Sequence, residues 1–207
     1  MEDRTGAVVG EVELTTTLPH TSDPWTRVLS LRGYPADELI SAFQKYIRRG
    51  NLEEAILIAR EMYETSPELE EKMWQRLLVM ACEDAGSGTF SEPVVVDALH
   101  RMRGHVPRGG DRWLFAAHAV RYLATASKDR TTDEMCMWAI QMIHSGQRLP
   151  VIPDYALDVH TRRGQEMGRD MNHFLDESSR IENRYGGNDP HFLDEIRQAV
   201  AAGEWAG

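Results

Sequence analysis

The sequence predicts an all-α protein: a multi-helix bundle preceded by a short extended N-terminal arm. Two observations carry that expectation. From Pro35 onward, apolar residues recur at intervals of three and four, the period of a helix with one buried face. Those stripes start and stop at prolines, glycines and capping residues. A β-branched, partly alternating run occurs only at residues 8–17, where it predicts a short strand or an extended arm.

Taken in order, residues 1–33 form the arm, punctuated by Pro19, Pro24 and Gly33. Pro35, followed by Asp37 and Glu38, opens the first helix, because proline suits a first turn and acids complement the helix N-terminus. Leu39, Ile40, Phe43 and Ile47 make its apolar stripe, which ends at Gly50. Leu52, Ala55, Ile56, Ala59 and Met62 make the second. Ser66-Pro67 starts a third helix, with Glu70 and Glu71 in its first turns and Met73, Trp74, Leu77, Leu78 and Ala81 on its buried face. A weaker helix covers residues 93–102. Two clear ones follow, striped by Trp113, Ala116, Ala117, Val120, Leu123 and Ala124, and by Met135, Trp138, Ala139, Met142 and Ile143. Thr131 or Thr132 caps the latter. The bundle core is therefore assigned to residues 34–148. After the break at residues 149–153, residues 149–207 are expected to form a helical extension packed on it, with helices over 156–167, 173–183 and 190–202. Residues 186–190 read as a turn before the last of these. Paired helices suggest a tetratricopeptide array, but no 34-residue self-similarity is present.

The bulk numbers narrow the function classes. With 42% hydrophobic and 27% charged residues, the chain has the composition of an ordinary globular domain. No apolar stretch approaches the roughly 20 residues that span a bilayer, and the acidic N-terminus has no signal-peptide core, so a cytoplasmic location is expected. Cys82 and Cys136 sit in apolar helical contexts and are expected to be buried free thiols. A formal charge of −10 opposes autonomous binding to phosphate backbones. Residues 170–207 hold eight acids against three arginines, which suits solvent or a basic partner.

Three stretches carry a resemblance. Residues 37–49 (DELISAFQKYIRR) look like DLISAFHKSIRGSD, residues 75–86 (QRLLVMACEDAG) like RRLVRIASEDIG, and residues 116–128 (AAHAVRYLATASK) like LAQAVIYLALAPKS. Residues 151–168 would occupy the place of VPLHLRNAPTKLMKELG. In this order the segments resemble the C-terminal domain of the replication-associated recombination protein A family, the MgsA-type AAA+ ATPases, whose eukaryotic relative is the Werner-helicase-interacting protein. The resemblance spans roughly residues 35–175. It implies a clamp-loader-type helical domain that oligomerises, while the family's ATPase core acts at stalled replication forks. Two departures stand out. Residues 87–93 (SGTFSEP) replace the family's LADP continuation, and no phosphate-binding G-x-x-x-x-G-K-[ST] loop is present. The nearest candidate, residues 104–111, lacks both lysine and hydroxyl, so ATP hydrolysis by this sequence is not expected. The resemblance therefore implies a non-enzymatic oligomerisation or partner-docking module. Its partners would be further copies of itself, as dimer or tetramer, and a separate AAA+ ATPase or replication protein. Nucleic-acid contact would be weak or indirect.

Two constellations are candidate sites. Asp154, Asp158, His160, Arg162 and Arg163 form the densest polar segment. On a helix, Asp154, Asp158 and Arg162 would share a face, which admits a divalent-metal, phosphate or small-molecule site, or simply a capped helix laced with ion pairs. Gly164 and Gly168 follow, and two helical glycines suggest tight packing or ligand contact. Second, Arg101, Arg103, Arg108 and Arg112 face only Asp111 within one loop and could contact phosphates or an acidic surface, or be solvated. The histidines are scattered and no C-x-x-C is present, so neither a metal nor a cofactor is expected. Glu83-Asp84, an acidic pair at the end of a buried helix, could be catalytic, but the resembled family has it too, as a structural corner. Met135, Met137, Trp138 and Met142 concentrate adaptable apolar side chains on one helix, as interfaces do.

Overall fold

The computed structural model describes residues 22–85, 91–182 and 191–205. Among them it is all-α, with nine helices and no strands: α1 Ala36–Arg48, α2 Leu52–Thr65, α3 Pro67–Glu83, α4 Glu92–Arg103, α5 Arg112–Thr125, α6 Thr131–Ser145, α7 Arg162–Glu166, α8 Met171–His173 and α9 His191–Ala202. The predicted strand or arm at residues 8–17 and the turn at 186–190 lie outside the described residues. No described helix is long and apolar enough to cross a membrane. The chain divides into two compact units, residues 1–141 and 142–207, and the division falls within α6 rather than at the break after residue 148.

In the first unit, α1–α5 pack around one core. Each helix contributes the stripe its sequence advertises: Leu39, Phe43 and Ile47 from α1, Ala55, Ala59 and Met62 from α2, Leu69, Met73, Trp74, Leu77 and Met80 from α3. Val96 comes from α4, and Ala116, Ala119, Val120 and Leu123 from α5. Alanines on α2 and α5, which pack on each other, let those backbones approach closely. Local chemistry fixes the ends. Asn51 accepts a hydrogen bond from the Glu54 N–H, and Ser66 accepts one from Leu69 at 3.1 Å, each satisfying an orphan donor of a first turn. Gly50, at φ +73°, supplies the left-handed turn between α1 and α2 that a side chain would resist.

Three expectations are corrected. First, Cys82 and Cys136 are free, but both are exposed. Cys82 lies off the buried stripe of α3, and Cys136 sits on α6. Second, α6 forms at its predicted place, but none of its residues is buried. Third, a continuous helix over residues 156–167 does not form. Asp154–Ala156 is a single 3₁₀ turn, and the α-helix begins only at Arg162. The Asp158 carboxylate accepts the His160 N–H at 2.9 Å, and the Thr161 hydroxyl accepts the Gly164 N–H at 3.0 Å. Such side-chain-to-backbone bonds offer the chain a turn in place of a helix. The region predicted helical over 173–183 is α8 running into a wide π-type turn, Phe174–Ser178.

Candidate functional site

Two charge clusters inside the bundle and one uncovered helix are the features with chemical potential. The first cluster centres on Glu70, which the amphipathic pattern of α3 turns inward. Its carboxylate is 2% exposed and meets three guanidinium groups: Arg103 at 3.2 Å, Arg108 at 3.2 Å and Arg112 at 2.9 Å. The arginines arrive from the end of α4, the following loop and the start of α5. Arg103 also pairs with Glu71 and lies over the Trp74 ring at 5.3 Å. Burial works against the Glu71 charge, but Arg103 outweighs it and holds that carboxyl below its ordinary range. Arg108 further donates to the Tyr63 carbonyl. Of the predicted basic loop, Arg103, Arg108 and Arg112 thus converge inward on one carboxylate, while Arg101 pairs with Asp97 on the surface at 2.9 Å. A charge run in sequence cannot reveal this, because the shared acid lies more than thirty residues upstream.

The second cluster is the Glu83–Asp84 corner. Asp84 is 1% exposed, accepting from Arg48 at 2.5 Å, Arg130 at 2.7 Å and Gln44 at 3.1 Å. Glu83 meets Arg48 at 2.8 Å, Arg130 at 3.2 Å and Arg76 at 3.7 Å. The Asp129 N–H donates to the Asp84 carbonyl, so this corner ties α1, the end of α3 and the α5–α6 loop together. Arg48, in the last turn of α1, spends its charge here. Beside it, the Lys128 ammonium donates to the Leu123, Ala124 and Ala126 carbonyls and so caps α5. Burial pushes its pKa down, against the opposing pull of Asp84. In both clusters every carboxylate is matched by guanidinium groups, which suits bracing better than chemistry.

In the second unit, Asp154, Asp158 and Arg162 of the predicted polar site do not share a helix face. Asp154 is held by Arg169, whose guanidinium donates to both carboxylate oxygens at 2.6 and 2.7 Å and also to the Asp154 and Leu157 carbonyls. Asp158 is buried beneath the His160 N–H, which, ahead of its burial, keeps its pKa low. The His160 ring stands 3.3 Å from that carboxylate and packs edge-on against Phe174. Arg162 pairs only with Glu166, at 3.6 Å, and Arg163 is exposed. Gly164 packs tightly: a Cβ there would stand 1.9 Å from the Asp158 carbonyl oxygen. Gly168 is different, ending α7 at φ +73° with open space around it. Arg169, the residue that organises this turn, carries no sequence signal beyond its charge. Among the described residues, no three His, Cys, Asp or Glu side chains group as a metal site requires.

The third feature is α6. Met135, Met137, Trp138, Ile140 and Ile143 are each between 46% and 64% exposed. Apolar side chains lie on more than one side of the helix, and none of its residues is buried. Compared with known proteins, the chain matches no family model and no curated protein.

Proposed function

We propose that this protein is a non-enzymatic helical assembly module, which associates with copies of itself and docks onto DNA-replication or repair machinery. The observation that carries the reading is α6. A fifteen-residue helix with five large apolar side chains each at least 46% uncovered is costly to keep in water, at roughly 25 cal/mol for each Å², and contiguous exposed apolar surface marks interaction sites. Methionine and tryptophan suit such a surface, one for its adaptability and the other for its large, rigid area. The order of segments in α1, α3 and α5, which resembles the C-terminal domain of the replication-associated recombination family, supports assembly as the role and the replication fork as its setting. The pairing of the carboxylates with arginines inside both charge clusters supports bracing of the bundle.

Light scattering at tens of micromolar tests this. The account expects a dimer or tetramer that Met137→Glu/Ile140→Glu converts to a folded monomer. A wild-type protein that stays strictly monomeric would remove the self-association half of the proposal.

A further inference from the structure

A separate surface lies between α1 and α2. There the two helices leave an open groove of about 600 Å³, in the range of sites that accept a ligand or a side-chain cluster. Its floor is apolar: Tyr34, Leu39, Ala42, Tyr46, Leu57 and Ile58. Tyr34 is 55% and Leu57 64% exposed, so the floor is open to water. Four glutamates and two arginines rim it. Arg32 pairs with Glu61 and Glu64, and Arg60 pairs with Glu64 at 2.7 Å, so both cations are already consumed. Among the described residues, Glu38 and Glu54 line the groove without an ion pair, and the rim keeps a net charge of about −2. The run from Glu38 to Tyr46 along α1 spans about 12 Å at the helical rise, roughly two turns of a partner helix.

We infer that this groove binds a cationic amphipathic helix from another protein, with apolar anchors at i, i+3, i+4 and i+7 on the floor and lysine or arginine against Glu38 and Glu54. The choice of occupant follows from charge. A second copy would bring another acidic chain, of net charge −10, toward an acidic rim. A basic helix meets complementary potential and an apolar floor at once, which is the helix-in-groove mode of recognition. This site is independent of α6 and stands whether or not the protein self-associates.

The test is fluorescence anisotropy with the full chain. The probe is a labelled synthetic helix of about 14 residues, leucine on one face and lysine on the other. The comparator carries glutamate in place of lysine. The lysine probe is expected to bind at least about tenfold tighter than the glutamate one. Leu57→Glu, at an exposed position, and Glu38→Lys/Glu54→Lys are each expected to weaken it by about tenfold or more. Glu177→Lys/Glu195→Lys, which changes net charge equally but lies in the other unit, is expected to leave it within about twofold. Equal loss in that control would reduce the effect to overall charge and overturn the inference. So would binding that ignores Leu57→Glu, no binding at all, or a Leu57→Glu variant whose main effect is to break up an oligomer of this chain.

Discussion

Helices α5 and α6 are neighbours of nearly equal length, and both advertise an apolar stripe. One disappears into the core and the other stays uncovered. In α5 the stripe is built from Ala116, Ala119, Val120, Leu123 and Ala124, and all five are buried. In α6 it is built from methionines, Trp138 and isoleucines, and none is buried. Small side chains let α5 lie close against α2 and α4. Bulky, flexible ones on α6 suit a partner surface that is not part of the fold. The comparison teaches that period predicts a helix but not whether its apolar residues are buried within the chain, since the equally bulky Met73, Trp74 and Met80 of α3 are buried while those of α6 are not.

The comparison can be broken most forcefully by truncation. Leu123→Ala is expected to cost about 4 kcal/mol in urea melts, the transfer term plus a cavity. Ile140→Ala should cost less than about 0.5 kcal/mol at concentrations that keep the chain monomeric. Similar losses at both positions would mean that α6 is buried in solution.

The two kinds of ion pair offer the next contrast. Glu70→Gln strips the shared partner from three guanidinium groups inside the bundle and is expected to destabilise it by about 3 kcal/mol. Asp154→Asn removes an exposed carboxylate from Arg169 and should cost no more than about 1 kcal/mol. Thermal unfolding of both variants reads the difference.

The glycines sharpen it further. Gly164→Ala drives a methyl into the Asp158 backbone, which must shift, and about 2 kcal/mol of destabilisation is expected. Gly168→Ala meets open space and loses only the left-handed preference, about 1 kcal/mol. Equal effects would show that the α7 turn is looser than its geometry.

The smallest effect is with pH. Glu71 and Asp158 have folded-state pKa values below their ordinary ones, so the unfolded chain binds more protons as pH falls. Their contribution is complete above about pH 5 and is lost as pH drops through about 4 and below. Glu71→Gln should therefore flatten part of the acid limb of a stability–pH profile while leaving the neutral region little changed in slope.

Much of the bundle was legible because α1, α2, α3 and α5 each bury the stripe that their residues display, with Ser66-Pro67 and Gly50 marking boundaries. What escaped has a common physical cause, since it depends on partners distant in sequence or on competition between local bonds. The arginines of residues 101–112 read as a basic loop until Glu70 is seen beneath three of them. Residues 154–163 read as a helix face, but Asp158 and Thr161 bond to nearby backbone amides and Arg169 clamps the turn from beyond it. Even the exposed cysteines follow this logic, because an apolar helix still has an outer side.

The central claim is that α6 is uncovered because it is an assembly surface. Light scattering across a concentration series, on wild type and on Met137→Glu/Ile140→Glu, tests it most directly. The account predicts a concentration-dependent dimer or tetramer for wild type and, for the variant, a folded monomer that melts where wild type does at concentrations low enough to keep it monomeric. A wild type that remains monomeric throughout, or an oligomer indifferent to the two substitutions, would contradict it.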